Sequence, residues 1–204
     1  MNPSHVAQSI AASLEEGINA RGFAILVVSG GSSPVPIFKS LSSMKLRWSQ
    51  ITVLLGDDRL VGKHHADSNE RLVQKYLLIN HASAASYLSL VSGADEILSL
   101  DLPFDIMLLG VGLDGHFASL FPTMKNLQDA LDVSARPQIL NTEILGAPAH
   151  ERVSMNLSMI LRSSRCLLIA NSDDKRSIIK AGRINPDLPI YHLLNQAQLK
   201  IELI

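Results

Sequence analysis

Near the amino end, Val6, Ala7, Ile10, Ala11, Leu14 and Ile18 recur at the spacing of one helical face, and Gly22 stands where such a helix stops. The period then changes. "FAILVVSGG" is a short continuous apolar run that ends in glycines, the pattern of a strand buried on both faces. Pro34 follows, at a position suited to a first helical turn, ahead of Val35, Phe38 and Leu41. The same order repeats in "ITVLLGDD", where Ser68 then precedes an amphipathic segment with Leu72, Val73, Tyr76 and Leu77. "FDIMLLGVG" predicts a third strand, "RCLLIANS" a fourth before a helix around Lys175 to Ala181, and "LPIYHLL" a fifth. Five strands alternating with helices predict an α/β fold, doubly wound around a mainly parallel sheet with helices on both faces. The stretch from about Asn126 to Ala149, with Pro137, Gly146 and Pro148, is the least periodic and reads as a loop region flanking the site.

Composition agrees with burial on both faces. Apolar residues make up 47% and charged residues 18% of the 204 positions, against about 25% charged in a typical soluble domain. That length suits one core, so residues 1–204 are expected to form one domain. A formal net charge of -1 gives no overall attraction for nucleic acid or anionic membranes, so any anion site must be a local cluster. The amino-terminal stretch has neither a basic lead-in nor a continuous apolar core, and no run approaches the ~20 apolar residues of a membrane span. A cytoplasmic location is the expectation. The single cysteine, Cys166, lies in "CLLIA" and reads as a buried structural thiol.

Chemistry concentrates in the loops after the strands. "SGGSSP", Ser29 to Pro34, sets glycines and hydroxyls before a helix start, which makes a cradle for a phosphate; a tight turn with a serine N-cap accounts for it equally well. The loop lacks the G-x-x-x-x-G-K-[ST] pattern of nucleoside triphosphate sites. "GDDRL" offers Asp57, Asp58 and Arg59 on the same rim, where Arg59 can grip a phosphate in two-pronged fashion or simply pair with its neighbours. His64, His65 and Asp67 lie close in sequence, but too few ligands stand at workable spacing, and no metal site is expected. Lys175 and Arg176 follow "NSDD" in a first helical turn, where cations oppose the helix dipole unless Asp173 and Asp174, or an anionic ligand, compensate.

"LLGVGLDGHFASLF" contains Gly110, Gly112 and Gly115 at the G-x-G-x-x-G spacing of dinucleotide folds. The context is wrong for a cofactor: the glycines follow the third strand, and the acids about 20 residues on, Asp129 and Asp132, fall in a polar, helical segment. Glycines on a strand-to-helix turn instead present Asp114 and His116 to a cleft. With the helix dipole opposing the imidazolium and Asp114 favouring it, His116 is suited to accept a proton. A structural His capping the turn is the simpler alternative.

These stretches, "LVVSGGSSP", "GDDRLV" followed by "DSN", "FDIMLLGVGLDGHFASLFP", "ERVSMNLSMI" and Lys175, resemble in order the 6-phosphogluconolactonases of the glucosamine-6-phosphate isomerase superfamily. The resemblance spans nearly the whole chain. It implies a modified Rossmann-like fold and a cofactor-free, metal-free hydrolase that converts 6-phospho-D-glucono-1,5-lactone to 6-phosphogluconate. By matching position, Gly31, Ser32 and Ser33 would contact the phosphate, Arg59 and Lys175 would supply positive charge, and Asp114 and His116 would form the catalytic loop. Asp57 matches the carboxylate that transfers protons in the deaminase branch, and Asn69 and Arg152 match positions of substrate contact or site support. The partner implied is a small sugar-phosphate lactone, not nucleic acid or membrane. Glucosamine-6-phosphate deaminases continue differently after D-G-H, so "ASLFP" favours the lactonase branch over that alternative, and a non-catalytic sugar-phosphate sensor would have no use for His116 and Asp114. Three departures, Asp58 for a usual Glu, Leu60 for Trp and Leu113 for an acid, are expected to alter rate and fine specificity. The amino terminus is shorter than usual for the family, which is expected to leave one sheet edge differently covered.

Overall fold

The computed structural model describes residues 2–100 and 102–204. In chain order its elements are α1 (Pro3–Arg21), β1 (Ala24–Val28), α2 (Val35–Ser42), β2 (Ile51–Leu55), β3 (Asp57–Arg59), α3 (Asn69–Tyr76), β4 (Ser86–Leu88), α4 (Ala94–Leu98) and β5 (Phe104–Leu109). There follow α5 (Leu127–Leu131), β6 (Ile139–Leu145), β7 (His150–Met155), α6 (Leu157–Ile160), β8 (Ser163–Leu168), α7 (Asp173–Gly182), α8 (Pro189–Leu194) and β9 (Ile201–Leu203).

Six strands form a parallel sheet in the order β4-β2-β1-β5-β8-β9. From β1 the chain winds outward through β2 to β4, then returns to pair β5 with β1 and winds outward the other way. The reversal opens a crevice beyond the carboxyl ends of β1 and β5, where ligands bind in open α/β sheets. The loops Ser29–Ser33 and Gly110–His116 leave from these two ends.

Every residue of β1 and β5 is buried, because each strand has a hydrophobic layer on both sides. Leu26, Val28, Val53, Ile106 and Leu108 pack under α1, α2 and α3, while Ile25, Val27, Leu54, Met107 and Leu109 pack against the opposite layer, which includes α5 to α8. Full burial of each such side chain stabilises the fold by about 1.5–3 kcal/mol. Cys166 lies inside this core on β8, where burial pushes its thiol pKa up. Among the described residues, no helix is long and apolar enough to cross a membrane.

A second, antiparallel sheet, β3-β7-β6, covers one end of the first. Gly56 joins the two: its N–H donates to the Val28 carbonyl (3.0 Å), and its own carbonyl accepts from Met155 N (2.9 Å). Two sequence expectations need correcting here. The supposed loop region 126–149 contains α5, in line with the helical segment read around Asp129, and β6, which escaped notice because its side chains are mostly half-exposed, without clean alternation. "LPIYHLL" is the helix α8, not a strand: Pro189 occupies its first turn, and buried Ile190 and Leu193 share one helical face. The last strand is Ile201–Leu203, and β4 was also not anticipated; both lie at sheet edges, and their side chains are incompletely buried.

At the end opposite the crevice, Asp105 ties α1 to the sheet. Its Oδ2 accepts from Arg21 Nη2 and from Ile25 N, both at 2.7 Å. Burial dominates its titration and holds the carboxyl above its ordinary value, although both bonds oppose this. Gly17 lies against this carboxylate so closely that a Cβ would collide with Asp105 Oδ1. Gly17→Ala is therefore expected to cost about 2–3 kcal/mol by overpacking and loss of these bonds. A urea titration checks this, and an unchanged midpoint would show that α1 yields without penalty.

Candidate active site

A cleft of about 320 Å³ lies at the crevice, its wall formed by Ser29–Ser33, Asp57, Arg59, Asn69, Gly110–Gly112, His116, Ala118, Arg152 and Lys175. Nine of the ten residues singled out from sequence line it, drawn from six separate stretches of chain. The tenth, Asp114, stands one step back, behind His116.

The imidazole is held on two sides. Asp114 Oδ1 lies 2.5 Å from His116 Nδ1 and also accepts from His116 N at 3.2 Å. A carboxylate at Nδ1 takes the ring proton there, which leaves Nε2 as the nitrogen with a free lone pair. Burial acts to raise the Asp114 pKa, but the bonds and charge of His116 outweigh it, and the carboxyl lies below its ordinary range. On its flat side the ring stacks on Phe121, centroids 4.1 Å apart and planes 27° from parallel. Gly112 gives the ring its room, since a Cβ there would overlap Cε1 and Nδ1. The loop is closed by Gly112 N donating to His116 O (2.8 Å) and Gly115 N donating to Gly112 O (3.0 Å).

The expected helix after Gly115 does not form. Residues after His116 make turns and one isolated bridge, Phe117 to Leu120, and Ala118 takes a left-handed φ of 48°. The helix-dipole argument for His116 therefore falls, and Asp114 alone sets its tautomer. Ser119, one residue on, is fully buried; its hydroxyl donates to Asp57 Oδ2 at 2.5 Å, and its N–H donates to Ser154 Oγ at 3.1 Å. Asp57 is thus pinned by one oxygen while lining the cleft.

Three cations converge on the same cleft. Lys175, in the first turn of α7, reaches across to donate from Nζ to Ser33 Oγ at 2.8 Å. Arg59 Nη1 donates to Asn69 Oδ1 (2.6 Å) and to the Asp67 carbonyl (3.0 Å). Arg152 is held by the Leu145 and Pro148 carbonyls, both at 3.1 Å, and lies over the Phe121 ring at 5.0 Å. Among the described residues, no carboxylate makes an ion pair with any of the three. Burial holds the Lys175 amine below its ordinary pKa, and burial, helped by the charge of Arg59, lowers that of Arg152. Three cations that make no direct ion pair, beside the Gly-Ser loop and with only Asp57 on the same wall, favour an anion. At the mouth of α7, Asp173 pairs with Arg176 at 2.7 Å, which leaves Lys175 to face the cleft.

Asn69 works from behind as well as from the wall: its Nδ2 donates to the Asp57 carbonyl at 3.0 Å while its Oδ1 fixes Arg59. Asp58 is not at the cleft. Its carboxylate accepts from the N–H groups of Arg59 (2.7 Å), Asn69 (2.7 Å) and Glu70 (3.0 Å), and burial nevertheless holds its pKa above the ordinary value. It anchors the start of α3, and Leu60 and Leu113 are likewise off the cleft wall, with Leu113 64% exposed. None of the three departures places a different side chain on the cleft wall. Ser29, Ala118 and Ser119 were not singled out from sequence; their position in motifs already quoted was the available signal.

A family model for glucosamine-6-phosphate isomerases/6-phosphogluconolactonase matches residues 3–201. The chain belongs to this family. It is 36% identical to the 6-phosphogluconolactonase of Neisseria meningitidis, over 93% of this chain and 88% of that protein. Against the 6-phosphogluconolactonase of Pseudomonas putida the identity is 35%, over 90% and 79% of the two chains. A crystal structure of a 6-phosphogluconolactonase from Shewanella baltica superposes with a TM-score of 0.91 at 33% identity, covering 98% of this chain and 91% of that one. A monomeric glucosamine-6-phosphate deaminase shares the fold, with a TM-score of 0.73 at 16% identity. The two branches of the family thus share one scaffold.

The cation cluster makes a prediction about anion affinity. A bound phosphate favours the ammonium form of Lys175, whose pKa burial has lowered, so binding draws in a proton on the alkaline side. Affinity for inorganic phosphate is expected to fall as pH rises through that lowered pKa, earlier than for an ordinary lysine at about 10.4. Lys175→Met should bind more weakly and lose this alkaline dependence. Calorimetric titrations from pH 8 to 10 test it, and identical profiles for both proteins would remove Lys175 from the anion site.

Proposed function

We propose that the chain, acting over residues 1–204 as a single lactonase domain, hydrolyses 6-phospho-D-glucono-1,5-lactone to 6-phosphogluconate. The observation that carries this reading is the meeting, in one cleft, of an Asp-held imidazole and three cations that make no ion pair with a carboxylate. The family membership and its lactonase relatives support it. In this reading the phosphate sits on Gly31, Ser32 and Ser33 with Lys175, Arg59 and Arg152 around it, and the lactone ring extends toward His116. Asp57 accepts a substrate hydroxyl with the oxygen that Ser119 leaves free, and Asn69 keeps Arg59 in position.

Catalysis needs a base for water and a charge sink at the carbonyl. His116 Nε2 removes a proton from water as its oxygen bonds to the lactone carbonyl carbon, and the carbonyl electrons move onto oxygen. Asp114 stabilises the imidazolium through Nδ1. When the carbonyl reforms, the bond to the ring oxygen breaks and that oxygen takes the proton from Nε2, which leaves the open acid.

The deaminase reading shares the scaffold, but "ASLFP" after the D-G-H loop departs from the continuation seen in that branch. The two are separated by assaying freshly generated lactone, corrected for spontaneous opening, beside glucosamine 6-phosphate. Hydrolysis of the lactone alone is expected. His116→Ala should lower kcat by about 10²- to 10⁴-fold, the range of general base catalysis, whereas Arg59→Ala should chiefly raise KM. Equal loss of kcat in both variants with unchanged KM would overturn this division of roles, and turnover of the amino sugar alone would overturn the lactonase reading.

A further inference from the structure

Beside the cleft, three metal-ligating side chains meet that no step above uses. His65 and Asp67 lie in the loop between β3 and α3, and His150 opens β7. His150 Nε2 is 2.9 Å from Asp67 Oδ2, and His65 Nδ1 is 3.8 Å from the same oxygen. One donor atom from each of the three residues lies within 4.8 Å of the others. The two rings meet edge to face, with centroids 5.7 Å apart and planes at 81°.

We propose that His65, Asp67 and His150 bind a first-row divalent transition ion such as Zn²⁺. Ligand atoms on a tetrahedral ion, at bond lengths of about 2.0–2.1 Å, stand roughly 3.3 Å apart. The two separations to Asp67, 2.9 and 3.8 Å, bracket that value, and all three donors already lie within 4.8 Å of one another. Two imidazoles and a carboxylate suit Zn²⁺, Co²⁺, Ni²⁺ or Cu²⁺, whereas Mg²⁺ and Ca²⁺ prefer all-oxygen sets. His65 Nδ1 accepts from Asp67 N at 3.1 Å, so that nitrogen carries no proton, and coordination exchanges this hydrogen bond for a bond to the ion. His150 presents Nε2 to Asp67, and its proton moves to Nδ1 when the ion takes that place. All three side chains are partly exposed, His65 by 49%, Asp67 by 34% and His150 by 23%, so an ion enters from solvent and water fills the remaining position. The ion would join the loop after β3 to β7, and through the Asp67 carbonyl, which accepts from Arg59 Nη1 at 3.0 Å, it would stiffen the anion cradle.

The test uses the full chain, stripped with chelator, and titrates Zn²⁺ by calorimetry and Co²⁺ by visible absorption. One ion per chain is expected, with Co²⁺ bands that Zn²⁺ displaces. His65→Gln and His150→Gln, on separate elements, should each lose at least the roughly 10- to 100-fold in affinity that removal of even an outer-shell partner costs, with unchanged circular dichroism. His116→Ala should bind as the parent does. Absence of saturable binding, parent-like affinity in both Gln variants, or loss of binding in His116→Ala, which would place the ion on His116 and Asp114, would each overturn the proposal.

Discussion

The arrangement of the cleft follows from one electrostatic constraint: among the described residues, Arg59, Arg152 and Lys175 face a common space without a direct ion pair to a carboxylate, Asp57 sharing the wall but touching none of them as a salt bridge. Like charges brought together in a partly desolvated cleft repel, so each must be held by neutral acceptors. The carbonyls of Asp67, Leu145 and Pro148, the amide oxygen of Asn69 and the hydroxyl of Ser33 perform this task. These acceptors orient the cations without cancelling their charge. A carboxylate in their place would stabilise the empty protein and weaken the attraction for an anion.

The neutral acceptors in turn depend on the small antiparallel sheet. Its β3 and β7 deliver Arg59 and Arg152 as direct partners in register, which places two guanidinium groups on one face of a ladder. The Gly56 bonds tie the end of β7 in this sheet to the end of β1, so the cradle is referred to the same frame as the Gly-Ser loop. Asp58 contributes by capping α3, and α3 brings Asn69 to its place between Asp57 and Arg59. The imidazole stands on the loop that follows β5, the strand beside β1. Its orientation has separate supports, Asp114 at one nitrogen and Phe121 at the ring face.

Much of this was readable in the chain. Strands buried on both faces produce uninterrupted apolar runs, so β1, β2, β5 and β8 were recognisable, as were α1 with its Gly22 stop and α3 with its Ser68 cap. The glycine-rich loops were recognisable for a related reason: a backbone that must turn sharply beside a side chain or ligand leaves few residue types possible. What failed was of a different kind. α8 is a six-residue apolar run, and periodicity does not separate a strand from a helix at that length. β6 has one solvated face and an irregular register between Thr142 and Leu145, so its side chains carry no alternation to read. The expected helix after His116 gave way to turns that bury Phe117, Leu120 and Phe121.

The amino-acid sequence by itself determined the doubly wound core and the residue types at the strand ends, because burial period, glycine placement and helix caps are local properties of the chain. Tertiary structure alone decided which of those residues meet. Lys175 and Ser33 are 142 positions apart, Asp57 and Ser119 are 62 apart, and His150 reaches Asp67 across 83. No local pattern encodes such pairings; they arise where the reversal of winding between β1 and β5 and the ladder of β3 with β7 bring separate loops to one rim. The chemistry of each side chain was written in the sequence, and the distance between them was set by the sheet.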